Sequence, residues 1–499
     1  MADQGERPGL PEGQAELQFR YDPKHHDRLA KAPWMRALQS GDAASRAVDH
    51  VYFDTPDHVL QRHGVTLRID GRGKRTPPLP SLDRLRSDPG LRKYLSKRAF
   101  DSLRPVFATH VKRVTRKLKP SQDAEVALDF DELNVSANGL RKPNKAFELA
   151  LRSNDPHALY RLARLIAATV PVRLVSGSIE DRAVALLEGR APTFAKASPL
   201  ALRPGTSGEE ALIATVSNCL AHLSANEECA MAMADPEGVH QMRVALRRLD
   251  ASLTVFGDLI PETQLDRLRR KIQGVTDSLA PARDWDVFIE DIVGPVMADL
   301  RSEDDLLILR GQAEAQRALE YRKVRRVLAA PGYAEMRLDL AAWLTEREWR
   351  QQPLTEDSVR LLSDARELGV AILEKAHRKL LKRGKELKAM GPPERHKLRI
   401  RVKKVRYAAE LFAPLHSKKR VAPYLASLRA LQDDLGRFND VEVARGLLGQ
   451  LATGDPNRDR RIERAGGLVM GWHLHAAHER ERELARHWRA FTKAKPFWH

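Results

Sequence analysis

The fold of the C-terminal part of this chain follows from two segments: HQMRVALRRL at residues 240–249 and HKLRIRVKKV at residues 396–405. They match in residue type at nearly every position, with an offset of 156 (396 − 240). The same offset relates a second pair of similar segments, residues 279–287 and 435–443. Two matches at one offset, with no slip between them, indicate a duplicated helical unit.

Apolar residues recur in both segments with the spacing 4, 3, 4, 3, which is typical of the buried face of a bundle helix. The two stripes are Met242, Leu246, Leu249, Leu253 and Phe256, then Leu398, Val402, Val405, Ala409 and Phe412. Long patterns of this period continue beyond residue 208, so we predict an all-α domain of about ten helices. The prolines that are expected to break it are Pro236, Pro261, Pro281, Pro331, Pro353, Pro392 and Pro423.

Cations line a second face of each helix. His240, Arg243 and Arg247 fall within a wedge of about 60°, centred about 130° from the apolar stripe. The second repeat carries a matching row, which consists of His396, Arg399, Lys403 and Arg406. One further basic residue stands beside each row: Arg248 in the first repeat and Lys404 in the second. No Asp or Glu interrupts residues 395–406, so pairing within the helix cannot neutralise that row, and a polyanionic partner is predicted. For either helix alone, a solvated arginine-rich face is the alternative.

Asp284 and Asp440 occupy matching positions after the two rows. We interpret them as N-caps of the following helices, with orientation of the arginines as an added role.

The totals agree with a polyanion partner. The 499 residues predict two or three domains, and the net charge of +18 predicts binding to nucleic acid, polyphosphate or an anionic membrane surface. An arginine-rich proteome is the alternative explanation. Cys219 and Cys229 lie too far apart on a helix for a disulfide. No signal-like N-terminus and no run of 18 apolar residues occur, so a cytoplasmic protein without a membrane partner is expected.

Composition also predicts the boundaries of the domains. Residues 1–13 read as a flexible lead-in, and short β-branched runs over 14–190 predict an α+β domain with a sheet or barrel. Residues 191–208 read as a linker. The helical domain covers 209–499, with repeat halves of about 209–352 and 353–499.

The N-terminal part resembles the CYTH domain of triphosphate tunnel metalloenzymes. The similarity lies in YFDTPD at residues 52–57, GVTLR at 64–68 and PVFATHVKR at 105–113. It implies an antiparallel β-barrel tunnel in which basic side chains hold a triphosphate and carboxylates hold divalent metal ions. By this resemblance Arg68, Arg113 and Lys117 are expected to bind anions, although solvated strand ends are an equal alternative.

The pattern departs from the family where the metal chemistry would lie. The first strand, residues 14–18, keeps only Glu16 of its acids, and residues 146–150 keep only Glu148. Where the family pattern has a Ser-Lys pair, this chain has Ser178-Ile179, and Glu180-Asp181-Arg182 follow. We therefore expect a degenerate tunnel, with Glu16 and Glu148 as vestigial metal ligands and no assigned catalytic residue. The alternative function is a triphosphatase dependent on Mg²⁺ or Mn²⁺, with the helical domain as substrate anchor.

The helical part resembles the CHAD domain over about residues 209–495. The resemblance rests on the two basic segments, on ARDWDV at 282–287, and on LQDDLG at 431–436 with Asn439-Asp440. It implies two helical bundles related by an internal pseudo-twofold, with basic rows facing a shared groove. It also implies binding of inorganic polyphosphate and association with polyphosphate granules, with no cofactor required. Nucleic acid is the second choice of partner, because the basic helices carry almost no aromatic side chains for base stacking.

Overall fold

The computed structural model describes residues 2–3, 15–63, 65–70, 82–137, 144–175, 191–301, 303–353, 355–451 and 454–499. By its contacts the chain divides into two compact units. The first comprises Met1–Pro192 and Ala329–Glu346, and the second comprises Thr193–Leu328 and Arg347–His499. Residues 329–346 thus belong by their contacts to the first unit, although they lie within the helical half of the sequence.

The first unit is built on an antiparallel sheet with the strand order β1-β4-β3-β5-β6-β7-β2-β8. The strands are β1 (Ala2–Asp3), β2 (Ala15–Tyr21), β3 (Ala44–Asp54), β4 (Thr66–Asp70), β5 (Arg104–Leu118), β6 (Val126–Ala137), β7 (Asn144–Ser153) and β8 (Val172–Leu174). This confirms the predicted antiparallel β domain. The predicted closure into a barrel is wrong for the described strands, whose sheet is open. The edge strands β1 and β8 have only two and three residues, too few for the continuous ladder that closure needs.

One face of this sheet carries the apolar core. Alternation along β6 places Leu128 and Phe130 on the face that packs against helix α7 (Pro156–Thr169). Leu338 of a later helix joins the same cluster. The opposite face carries the intervening charged residues. The other helices of this unit are α1 (His26–Ala30), α2 (Pro33–Leu38), α3 (Val59–Arg62), α4 (Leu82–Ser87), α5 (Pro89–Arg92), α6 (Lys97–Asp101) and, from the later segment, α14 (Pro331–Thr345).

The second unit is helical, as predicted. Its helices are α8 (Gly208–Ala225), α9 (Glu227–Ala232), α10 (Pro236–Val255), α11 (Glu262–Val287), α12 (Gly294–Asp299), α13 (Asp304–Ala329), α15 (Glu356–Arg360), α16 (Ala365–Arg383), α17 (Pro392–Phe412), α18 (Lys418–Leu448) and α19 (Pro456–Lys493). A π-helical segment, Phe288–Val293, continues α11.

Two of the predicted breaks are wrong, because Pro281 and Pro423 lie inside α11 and α18. A proline inside a helix removes one hydrogen bond and clashes with the preceding turn. The neighbours Leu279 and Ala282 are fully buried, so tertiary packing holds the helix across Pro281.

Residues that the offset relates also contact each other. The predicted apolar stripes are buried in both repeats, and the rings of Phe256 and Phe412 lie 6.3 Å apart. Arg461 donates from Nε to Asp305 Oδ1 at 2.5 Å, again across 156 positions. In both cases a residue contacts its own repeat mate, so the two repeats pack against each other at equivalent positions.

Cys219 and Cys229 are both buried free thiols. Within the described part of the chain, no helix is long and apolar enough to span a bilayer.

Candidate functional site

The first cation row lies on α10. Asp235 caps this helix by accepting from the backbone N–H of Glu237, and Pro236 occupies its first turn. Burial of the apolar stripe directs His240, Arg243 and Arg247 to another face, where each is half-buried. Arg243 donates to the carbonyl oxygen of Thr276 on α11 at 3.2 Å. The sequence therefore sets the side of the helix on which the row stands, and the neighbouring helix partly covers it.

The second row lies on α17, which begins at Pro392 and packs against α10 and α18. Arg399 and Lys403 are half-buried, whereas His396 is exposed. His396 Nδ1 is 2.9 Å from Asn439 Oδ1.

The two rows meet. Burial, followed by the charges of Arg399 and then Arg247, lowers the pKa of Lys403 to about 7. Burial likewise lowers the pKa of Arg399, and Arg247 contributes to that shift as well. Since Arg247 belongs to the first repeat, cations from both repeats lie close enough to repel one another. We call Arg243, Arg247, Arg399 and Lys403 the paired cation rows.

The same crowding acts on the first row. Burial is the main cause that lowers the pKa of Arg243 to about 10, and repulsion from Arg247 is the next. Burial lowers the pKa of His240 to about 4, with Arg283 as the next cause. His240 is therefore neutral at pH 7, and the neighbouring arginines carry positive charge where water shields it poorly.

Asp284 and Asp440 lie near the paired cation rows. Both stand inside helices, α11 and α18, so the interpretation as N-caps is wrong. Burial raises the pKa of both carboxyls, while Arg243 opposes the shift at Asp284 and Arg399 opposes it at Asp440. The charge of Asp440 also raises the pKa of Asp284. Arg243 and Arg399 thus act electrostatically on these carboxylates, and the second predicted role, orientation of the arginines, stays a prediction.

A small pocket lies between the two repeats and is lined in part by these carboxylates. Three pairs of its lining residues are related by the offset of 156: Asp284 and Asp440, Val287 and Val443, Phe288 and Ala444. The pocket is thus a feature of the junction between the repeats.

Several donors of the rows lack an acceptor. The buried Nε atoms of Arg243, Arg247 and Arg399 have no hydrogen-bond partner among the described residues. A buried N–H group without an acceptor costs about 1–3 kcal/mol. Two carboxylates cannot satisfy four cations, so the geometry favours an anionic ligand with several oxygen atoms.

The remaining predicted row residues have other partners. Arg248 donates to Asn218 Oδ1 at 2.8 Å, and Arg406 donates to Glu410 and Gln432 at 2.7 and 2.8 Å. Lys404 is exposed. Conversely, Arg283 was not predicted as a site residue, yet its charge acts on His240, Arg243 and Asp284. Its position directly before Asp284 was the only signal for it in the sequence.

The charged face of the sheet forms a second cluster. Arg113 binds Asp131 with two hydrogen bonds of 2.7 and 2.5 Å, and its Nη1 lies 3.2 Å from Asp129. Asp129 also accepts from Arg152 and from Thr115, the latter at 2.6 Å. Both aspartates are buried. They were not predicted, although the alternation Asp129-Phe130-Asp131 on β6 was a readable signal.

The other predicted tunnel residues are spread over four strands of the sheet, β2, β4, β5 and β7. Glu148 is buried and 3.4 Å from Arg20, and it stands opposite Asp131 in the strand register. Glu16 accepts from Gln18 at 2.8 Å. Lys117 is exposed beside Glu125 at 3.2 Å, and Arg68 lies on β4. Gln14 and residues 178–182 fall outside the described residues.

These carboxylates do not fit a dication as they are placed. Asp129, Asp131 and Glu148 each lie within ion-pair distance of an arginine. No group of three or more His, Cys, Asp or Glu suited to a metal ion occurs among the described residues. Glu16 and Glu148 as metal ligands stay a prediction.

Comparison with known proteins supports the helical assignment. The CHAD domain family matches residues 214–449. The crystal structure of the CHAD domain from the plant Ricinus communis is similar at 29% identity, with a TM-score of 0.53, over 61% of this chain and 98% of that one. PptA from Streptomyces chartreusis is 16% identical, with a TM-score of 0.44, over 57% of this chain and 100% of that one. No curated protein matches the chain significantly.

Proposed function

We propose that this protein, whose residues 214–449 form a CHAD domain, binds inorganic polyphosphate at the paired cation rows. The observation that carries the proposal is the crowding of Arg243, Arg247, Arg399 and Lys403 across the junction of the two repeats. Burial and neighbouring cations lower the pKa values of Arg243, Arg399 and Lys403. A bound polyanion would relieve that repulsion.

Polyphosphate suits this site for chemical reasons. It is a linear chain of phosphate groups, each of which offers oxygen acceptors and negative charge. Arginine binds phosphate through two parallel hydrogen bonds, and lysine binds it as a point charge. The unpartnered Nε atoms of Arg243, Arg247 and Arg399 would gain acceptors. Because the rows come from two helices, a chain could contact both repeats at once.

Charge reversal tests the site. Replacing Arg243, Arg247, Arg399 and Lys403 together by Glu should abolish polyphosphate binding in a titration calorimeter, while the helical circular dichroism spectrum stays intact. The matched control reverses four exposed cations elsewhere in the helical unit: Arg270, Arg325, Lys397 and Arg401. It makes the same change in net charge and should retain most of the affinity. Equal loss in both variants would show that overall charge, rather than the paired cation rows, binds the ligand.

Competition separates polyphosphate from nucleic acid. Long-chain polyphosphate should displace a labelled polyphosphate probe far more effectively than duplex or single-stranded DNA at equal salt, since salt weakens every polyanion complex. Equal displacement by all three would contradict a preference for polyphosphate.

Association with polyphosphate granules follows from this binding as a further part of the proposal. A fluorescent fusion should co-localise with granules in cells that accumulate polyphosphate, and the fourfold Glu variant should not.

A further inference from the structure

A buried carboxylate stands two residues beyond Asp284. Asp286 is 0% exposed on α11, and it accepts a hydrogen bond of 2.9 Å from the hydroxyl of Tyr321 on α13. Its other oxygen, Oδ1, has no hydrogen-bond partner among the described residues. A buried carboxylate in this state needs nearby positive charge.

Two arginines supply that charge. Arg317 Nη1 lies 4.0 Å from Asp286 Oδ1, and the Arg317 side chain keeps 30% of its surface exposed. Arg283 stands three residues before Asp286 on the same helix. Burial raises the pKa of Asp286 to about 6, while the charges of Arg283 and Arg317 act in the opposite direction. Asp286 is therefore a buried negative charge that lies close to Arg317 and is subject to the charges of both arginines.

Arg283 connects this group to the paired cation rows. Its charge is one of the causes that lower the pKa values of His240 and Arg243. Arg317 approaches Asp286 from α13. Positive charge thus continues from α10 across α11 to α13.

The second repeat lacks this extension. The offset of 156 holds along α13 and α19, since Leu306, Leu309 and Ala313 and their mates Ile462, Ala465 and Val469 share one buried cluster. At the same offset, the mates of Arg283, Asp286, Arg317 and Tyr321 are Asn439, Glu442, His473 and Ala477. His473 is buried and its Nε2 lies 2.9 Å from the carbonyl oxygen of Ile292. Both arginines are therefore unique to the first repeat.

We propose that Arg283 and Arg317, positioned by Asp286, form an additional phosphate subsite that extends the paired cation rows on the side of the first repeat only. This inference rests on the proposed function and specifies it further. The site is asymmetric, and a long polyphosphate chain reaches the extra subsite while a short one fills only the rows. Asp286 acts through the arginines and is a positioning residue.

The first test separates chain lengths. Arg317→Gln should weaken the binding of long-chain polyphosphate about tenfold, the effect of losing one charge-assisted hydrogen bond. It should leave the binding of tripolyphosphate unchanged. Arg322→Gln is the matched control, because it removes the same charge from an exposed position about 140° around the same helix. The proposal is overturned if Arg317→Gln leaves long-chain affinity intact, if it weakens both ligands equally, or if Arg322→Gln has the same effect.

The second test uses the sign of the effect. Asp286→Asn keeps the shape and an acceptor for Tyr321 but removes a negative charge. A purely electrostatic role would make polyphosphate bind more tightly. Loss of positioning should instead weaken long-chain binding several-fold, so tighter binding would refute the role of Asp286.

Measurements on the wild-type protein distinguish failure of the proposed function from failure of the additional subsite. If it binds no polyphosphate, the proposed function fails. If it binds, and the fourfold Glu variant does not, an unaffected Arg317→Gln variant refutes the subsite alone.

Discussion

Lys403 shows what the meeting of the two repeats does to a single side chain. Arg399, Arg247 and Arg243 all act on its ammonium group, and burial removes much of the water that would screen them. Burial and these charges bring its pKa to about 7, so near neutral pH a large fraction is uncharged. A lysine on an isolated helix would keep its full charge there.

This leads to a pH-dependent affinity. Polyphosphate favours the protonated amine, so binding above pH 7 takes up a proton. The dissociation constant should therefore rise with pH, by at most about tenfold per pH unit. Lys403→Arg should flatten this dependence between pH 7 and 9, because arginine stays protonated. The exposed neighbour provides the control, since Lys404→Arg should leave the slope unchanged; an equally steep slope in Lys403→Arg would disprove the role of Lys403.

The buried carboxylates on the sheet show the effect of burial on negative charges, where it raises the pKa instead of lowering it. Burial raises the pKa of Asp131 even beside Arg113, which shows how poorly the site is hydrated. Two aspartates without their arginine would be left as incompletely compensated charges.

Arg113→Ala should therefore destabilise the first unit by about 3 kcal/mol, the usual cost of removing one partner of a buried ion pair. Lys117→Ala, on the same strand but exposed beside Glu125, should cost at most about 0.5 kcal/mol. Urea denaturation of both variants measures the difference. Similar small losses would mean that Asp129 and Asp131 are better solvated than their burial indicates.

At the scale of elements, close packing between helices explains one glycine that the low helix propensity of this residue type would disfavour. Gly369 on α16 lies where α17 approaches, and a Cβ atom there would come within 2.7 Å of the Phe412 ring. Gly274 on α11 is exposed, and a Cβ atom at that position would meet nothing within 4 Å. The absence of a side chain at Gly369 therefore permits the close approach of α17, whereas no neighbouring atom requires a glycine at position 274.

Alanine at these two positions should act with opposite signs. Gly369→Ala should destabilise the helical unit by about 1–3 kcal/mol through overpacking against a fully buried ring. Gly274→Ala should stabilise it by up to about 1 kcal/mol, because alanine is the better helix former. Calorimetric melting temperatures report both effects, and a stabilised Gly369→Ala variant would contradict the packing.

At the scale of the whole helical unit, the packing of the two repeats brings residues that are distant in sequence into contact. Phe256 and Phe412 are both fully buried, and each ends the apolar stripe of its own repeat. Their contact couples the two halves.

The coupling can be measured. Phe256→Ala and Phe412→Ala should each cost about 3–5 kcal/mol. Together they should cost less than the sum, by about 0.5 kcal/mol or more, because they remove one shared contact. A double-mutant cycle in urea measures this, and strict additivity would indicate that the two rings do not stabilise each other.

Much of this structure could be predicted from the periodicity of residue types along the sequence. The repeat at offset 156, the buried stripes and the faces that bear His240 to Arg247 and His396 to Lys403 follow from local spacing, as do most strands of the sheet. Spacing alone could not show that Asp284 and Asp440 lie inside continuous helices, because Pro281 and Pro423 signal breaks that packing overrides.

Local patterns in the sequence were enough to establish the duplication, the two structural classes and the sides of the helices on which the cations stand. Three-dimensional packing was needed to show that the rows meet, that Arg113 pairs with both Asp129 and Asp131, and that residues 329–346 pack with the sheet. The difference comes from the range of the interactions. A helix face is set by residues three and four positions apart, whereas the pKa of Lys403 depends on Arg247, which packing brings near from 156 positions away.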